Sequence, residues 1–168
     1  MEKINMKTLY VTDLDGTLLS TNNKLSEYTI KTLNSLIENG MCFSYATARS
    51  LSSATVVTKG LTTNIPVITY NGTFIVNAYT GEKLFSLFFN DHEKNVVKTF
   101  LNKNSIYPLV YGYINGEEKV SWIRAKENDG IKNYSNSRKS DKRLRPVETN
   151  EQLYAGELFY FTCIGEKE

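Results

Sequence analysis

Two carboxylates, Asp13 and Asp15, stand two residues apart where the apolar run Leu9-Tyr10-Val11 gives way to Gly16. This is the layout of a phosphoryl-transfer nucleophile with its acid/base partner. Open α/β sheets present their ligands at the carboxyl ends of strands, and Asp13 sits at such an end. From there a carboxylate can attack phosphorus in line. Gly16 permits a sharp turn, so Asp15 can point back into the same pocket and handle protons. A phosphate monoester dianion beside two carboxylates is repelled by about 4 kcal/mol per unit charge pair at roughly 4 Å and an effective dielectric near ~20. The chemistry therefore implies a divalent cation. Magnesium, a hard ion that takes carboxylate, carbonyl and phosphate oxygens together, is the one expected.

The pattern Asp13-x-Asp15-Gly16-Thr17 would arise by chance in on the order of one in a thousand chains of this length. An Asx-type turn after a strand uses the same residue types. The phosphoryl-transfer reading is preferred because the rest of the chain is consistent with it.

The elements that must hold these residues begin with a strand over 7–12. Ser26 then reads as an N-cap, and Ile30, Leu33, Leu36 and Ile37 form a helical stripe that Gly40 closes. A second strand is predicted over 41–46, a short helix over 50–59 and a third strand over 66–70. This β-α-β-α-β order predicts an α/β fold with a Rossmann-like parallel sheet. The pattern changes near residue 72. Strands over 73–78 and 83–89 flank Tyr79-Thr80-Gly81, a hairpin signal. A helix over 91–103 is expected to turn Val96, Val97, Phe100 and Leu101 inward. Strands over 108–114 and 118–123 flank Asn115-Gly116, the strongest short turn signal in the chain. A polar loop, a short helix near 149–154 and a strand over 158–164 complete the reading.

Three segments carry a resemblance to a known family. They are Asp13-Leu-Asp-Gly-Thr-Leu-Leu19, Phe43-Ser-Tyr-Ala-Thr-Ala-Arg49 and Pro66-Val-Ile-Thr-Tyr-Asn-Gly72. In that order they resemble the haloacid dehalogenase-like hydrolases, in their Cof-like phosphatase branch. The resemblance implies that Asp13 forms an aspartyl-phosphate and that Asp15 is the general acid/base. Both would serve the magnesium site, Asp15 through its backbone carbonyl. Thr47 resembles the phosphate-binding hydroxyl, helped by the N–H of Ala48, while Asn71 and Gly72 would line the mouth of the site. Arg49 reads either as an anion contact or as a solvent-exposed arginine at a helix start. The branch commonly has glycine where this chain has Ala48, which keeps the N–H donor.

The same resemblance divides the chain into a core over 1–72, holding the first three strands, and an inserted α+β cap on an antiparallel sheet over 73–168. It also calls for a downstream lysine and a Gly-Asp-x-x-Asn-Asp cluster, and neither is legible. After residue 90 the aspartates are Asp91, Asp129 and Asp141, none of them paired. The expectation is a chain covering the first part of a typical member and ending inside the cap. Truncation or proteolysis, a split gene, and an enzyme completed by a separate chain all fit that expectation. In each case the strand carrying Asp13 is an open edge that invites a companion chain or self-association. The implied activity is magnesium-dependent hydrolysis of a small phosphorylated metabolite. The rivals are a phosphomutase and a catalytically incomplete chain that only binds metal or phosphate.

Composition narrows the classes further. The 168 residues carry a net charge of only +2, which gives no general case for nucleic acid or membrane as partners. No apolar run reaches membrane-spanning length and no secretory leader is legible, so a cytoplasmic protein is expected. Cys42 and Cys163 read as buried free thiols, and His92, the only histidine, as solvent-facing. Segment 138–145 holds five positive charges and one negative, either a substrate-steering edge or a solvated loop. Tyr107, Tyr111, Tyr113 and Trp122 could stack on a substrate ring or fill the cap core.

Overall fold

Strand β1, Leu9–Asp13, runs parallel to β2, Cys42–Ala46, in a register that pairs Leu9 with Cys42 and Asp13 with Ala46. In turn β2 pairs in parallel with β3, Val67–Thr69. Helix α1, Glu27–Glu38, connects β1 to β2, and α2, Leu51–Val57, connects β2 to β3. Both helices begin where a serine hydroxyl accepts an early helical N–H: Ser26 from Thr29 and Ser50 from Ser53. Phe43, Ser44 and Tyr45 of β2 are all buried, as expected of a parallel strand covered on both faces. This computed structural model describes residues 8–165, so residue 7 of the first predicted strand lies outside the described residues.

The hairpin β4, Phe74–Val76, and β5, Lys83–Ser86, departs from the reading above. It continues the first sheet, giving the order β1-β2-β3-β4-β5, with β4 antiparallel to β3. The chain separates into two compact units after Ser86, not after residue 72. The physical reason lies in Tyr70, Asn71 and Gly72, at φ of +50°, +55° and +96°. Three successive left-handed residues reverse the chain tightly enough for β4 to pair with the strand just left. At the opposite margin β1 is the edge strand, with Leu9, Tyr10 and Val11 exposed by 52%, 53% and 47%.

The second unit is a four-stranded sheet in the order β8-β7-β6-β9. Strands β6, Leu109–Ile114, and β7, Glu117–Ile123, form the expected hairpin, with Asn115 and Gly116 both at positive φ. Strand β9, Glu157–Thr162, pairs antiparallel with β6, whereas β8, Leu144–Val147, pairs in parallel with β7. A parallel neighbour requires a crossover, and α4, Asp129–Asn136, provides it. Both α4 and β8 fall inside the segment read as a polar loop. Helix α3, Asp91–Lys103, starts on a capping box of Asn90 and Glu93, and α5 covers Asn150–Leu153. Leu101 of α3 is buried, while Val96 and Phe100 face outward, so its inward stripe is narrower than expected.

Other expectations are corrected here. Cys163 is exposed and Cys42 is half-buried, because Cys163 lies just past the end of β9. His92 is exposed on the first turn of α3, as expected. Tyr111 and Trp122 are core residues, 6% and 3% exposed, and the Trp122 indole N–H donates to Glu127 Oε1. Much of the basic segment is used internally. Arg143 pairs with Glu118 and Asp141, Arg145 donates to Ser121 Oγ and to the Gln152 carbonyl, and Arg138 stacks on Tyr134.

Candidate active site

Asp13 ends β1, and the chain then makes a wide turn over Leu14–Leu18. Leu14 is fully buried and anchors the turn, Gly16 takes φ +76°, and the Leu19 N–H closes it on the Leu14 carbonyl at 2.8 Å. This geometry leaves both carboxylates exposed at the carboxyl end of the sheet. The Thr17 hydroxyl donates to Asp13 Oδ2 at 3.2 Å. Thr17 was visible as the last residue of the motif, but nothing in the spacing assigned it to the Asp13 carboxylate.

The parallel ladder places Asp13 opposite Ala46, one residue before Thr47. Thr47 is almost wholly buried. Its N–H donates to the Ile68 carbonyl and its own carbonyl accepts from the Asn71 N–H, both at 3.0 Å. These two bonds tie the ends of β2 and β3 together. Thr47 Oγ1 accepts the Arg49 N–H at 3.1 Å and keeps its own proton to donate. Ala48 is exposed between them, and Gly72 is half-buried in the left-handed turn after Asn71. The Arg49 carbonyl accepts the Tyr70 N–H at 3.1 Å, so the two loops that carry Thr47–Arg49 and Asn71–Gly72 share backbone hydrogen bonds.

Arg49 pairs with a carboxylate of the Asp13-x-Asp15 motif. Its Nε donates to Asp15 Oδ2 at 2.8 Å and its Nη2 to Asp15 Oδ1 at 2.6 Å, a bidentate pair across 34 positions of sequence. Nη1 donates to Ser53 Oγ at 3.2 Å, a partner one helical turn on that sequence reasoning had not singled out. The hydrogen bonds from Arg49 hold the Asp15 carboxyl below the usual carboxylate range. They outweigh the desolvation that pushes it up, and the Coulombic attraction of Arg49 adds to them. The guanidinium is pushed up by the same contact.

The donor chemistry suits magnesium in kind, since Asp13 and Asp15 offer only hard oxygens. It is incomplete in number: among the described residues no group of three or more His, Cys, Asp or Glu side chains could hold a metal ion. Asp91, Asp129 and Asp141 pair instead with Lys94, Lys132 and Arg143 in the second unit. A cleft of about 160 Å³ in the first unit lies away from Asp13 and Asp15, at the amino end of β3, lined by residues 63–66 and 77–79.

Residues 10–166 match the family model of the haloacid dehalogenase-like hydrolases. The chain belongs to this family. It is 38% identical over 98 residues to a candidate phosphatase of Buchnera aphidicola subsp. Baizongia pistaciae (strain Bp), a match covering 58% of this chain and 35% of that one. Among solved structures it resembles a HAD/COF-like hydrolase from Plasmodium vivax, at TM-score 0.68 and 18% identity over 95% of this chain and 57% of that one. It also resembles the HAD subclass IIB sugar phosphatase BT4131, at TM-score 0.64 and 19% identity over 91% of this chain and 56% of that one. The haloacid dehalogenase-like chain described here thus spans little more than half the length of these structures. No helix among its described residues is long and apolar enough to cross a membrane.

Proposed function

We propose that the chain carries the nucleophile half of a magnesium-dependent phosphatase for small phosphorylated metabolites. The observation that carries this reading is the Asp13 carboxylate, exposed at the end of β1 and one register step from the buried Thr47 hydroxyl. The Asp13 carboxylate attacks phosphorus and the bond to the ester oxygen breaks, leaving an aspartyl-phosphate. The leaving oxygen takes a proton from Asp15, which for this must first be released from Arg49 and take up a proton from solvent. Asp15, now ionised, removes a proton from water, which displaces phosphate and regenerates Asp13. The Thr47 hydroxyl and the Ala48 N–H orient the phosphoryl oxygens, with Asn71 and Gly72 bordering the entrance. The Asp13 carboxylate and the Asp15 backbone carbonyl would hold magnesium, which when bound offsets the repulsion between phosphate and carboxylates. A sugar phosphate is the substrate class favoured by the resemblance to BT4131, and a reducing cytoplasm suits the two free thiols.

The test is turnover of an aryl phosphate with magnesium by the chain and by its Asp13→Asn variant. The expected result is hydrolysis that falls by at least about a thousandfold in the variant, the loss of a covalent nucleophile. Equal and measurable turnover by both proteins would remove Asp13 from the mechanism. Transfer of phosphate to another hydroxyl, without release, would identify a phosphomutase. A second reading, binding without turnover, is favoured by the lack of a third acidic ligand near Asp13 among the described residues.

A further inference from the structure

The Asp15–Arg49 pair has a geometry that the proposed reaction cannot use as it stands. Asp15 Oδ1 and Oδ2 each accept a guanidinium N–H, so Arg49 engages both oxygens of an ionised carboxylate, which holds no proton for a leaving group. The pair is also partly open to water, with the Asp15 side chain 46% exposed and that of Arg49 23% exposed. Arg49 is fixed by its backbone instead: its N–H on Thr47 Oγ1 and its carbonyl on the Tyr70 N–H. Those bonds root the residue between the two phosphate-loop segments whatever its side chain does. Thus the guanidinium can change partners without moving the loop.

We propose that Arg49 is an exchange arm: it clasps Asp15 while the site is empty and transfers its guanidinium to the phosphoryl oxygens of an arriving ester, freeing Asp15. This inference rests on the phosphatase reading and names the residue that couples binding to the release of the acid/base. A phosphate dianion offers the guanidinium fork two oxygens and more charge than a carboxylate, so the exchange runs toward the ligand. The arm's root lies two residues from Thr47 and one from Ala48, the groups already assigned to the phosphoryl oxygens. Substrate recognition and assembly of the reacting groups then become one event.

The exchange predicts that Asp15 competes with phosphate for Arg49. Inorganic phosphate, titrated calorimetrically in magnesium-containing buffer, should bind about threefold to tenfold more tightly to Asp15→Asn than to the unaltered chain, the cost of breaking a partly exposed bidentate pair. Removing a negative charge also helps any anion, so the same substitution is measured in an Arg49→Ala background, where only that field effect remains. The expected result is a clearly smaller gain there. Equal gains in both backgrounds would overturn the exchange. Arg49→Lys, which keeps the charge but not the fork, should bind phosphate more weakly than the unaltered chain. Nuclear magnetic resonance separates the two layers of the argument. On phosphate saturation the Arg49 Nε–H and the Asp15 carboxyl carbon should shift together with the Thr47 and Ala48 amides. Movement of the amides alone would refute the exchange and leave the phosphate site standing. Amides unmoved by phosphate would refute the site itself, and the exchange with it.

Discussion

Replacing Asp15 by asparagine removes one charge from the Arg49 pair at nearly constant shape, and its effect on stability can be worked out from the structure. Two charge-assisted bonds at 2.6 and 2.8 Å would be strong in a dry interior, but the two side chains are 46% and 23% exposed. Screening at that exposure leaves about 1 kcal/mol for a bidentate pair. Its pH dependence follows from the direction of the shift. The Asp15 carboxyl is lowered from its usual 3.8 in the folded chain, so the unfolded chain binds the proton more readily. The stabilisation is therefore complete above the unfolded pKa and is lost as pH falls through the lower, folded one. Asp15→Asn should be less stable by about 1 kcal/mol from neutral pH down to roughly pH 5. Below the folded pKa the gap should close, because a protonated aspartate then resembles the asparagine. The probe must report the correct unit. The only tryptophan, Trp122, lies in the second unit, so its fluorescence would miss the effect. Amide exchange of Phe43–Tyr45 in β2 reads the first. A gap that persists unchanged once Asp15 is protonated in the folded chain would show that asparagine acts through something other than the ion pair.

Two further outcomes test the frame around the site. Gly156→Ala should destabilise the second unit by about 2–4 kcal/mol, since the residue sits at φ +88° and an added Cβ would press on the Tyr113 carbonyl oxygen. Trp122 fluorescence on denaturation measures this, and an unchanged midpoint would contradict the close approach of β9 to β6. The β1 edge, with Leu9, Tyr10 and Val11 half exposed, should make the chain associate with rising concentration, and Val11→Lys should reverse this. Sedimentation of a monomer at every concentration by the unaltered chain would show that the edge is protected in some other way.

What the sequence disclosed and what it hid divide by distance along the chain. Asp13, Gly16 and Thr17 could be placed because a strand, a turn glycine and a carboxylate are local features, and the carboxyl ends of β1, β2 and β3 fell within a residue of expectation. Asn115-Gly116 was legible for the same reason, a turn type written in two residues. Strand β8 was hidden because Leu144–Val147 reads Leu-Arg-Pro-Val, charged and proline-containing, and only its parallel pairing with β7 makes it a strand. Pro146 is tolerated there because β8 is an edge. Helix α4 buries one apolar residue fully, Ile131, which is too little to mark a periodic stripe.

The Arg49–Asp15 pair was hidden for a deeper reason, and that reason bears on how the site works. Sequence could name Arg49 as a cation near an anion site, yet the choice between solvent, phosphate and a carboxylate is made by tertiary placement alone. The register of β1 on β2 sets Asp13 opposite Ala46, which leaves Asp15 and Arg49 to meet across the same end of the sheet. Tyr70 and Asn71 then hold left-handed conformations that cost non-glycine residues of order 1 kcal/mol or more each. Their N–H groups land on the Arg49 and Thr47 carbonyls. Backbone strain at the end of β3 is thus converted into a fixed position for the loop bearing Thr47, Ala48 and Arg49. A rigid loop with one long, partly exposed side chain is what an exchange of partners requires, because only the guanidinium has to move when phosphate arrives.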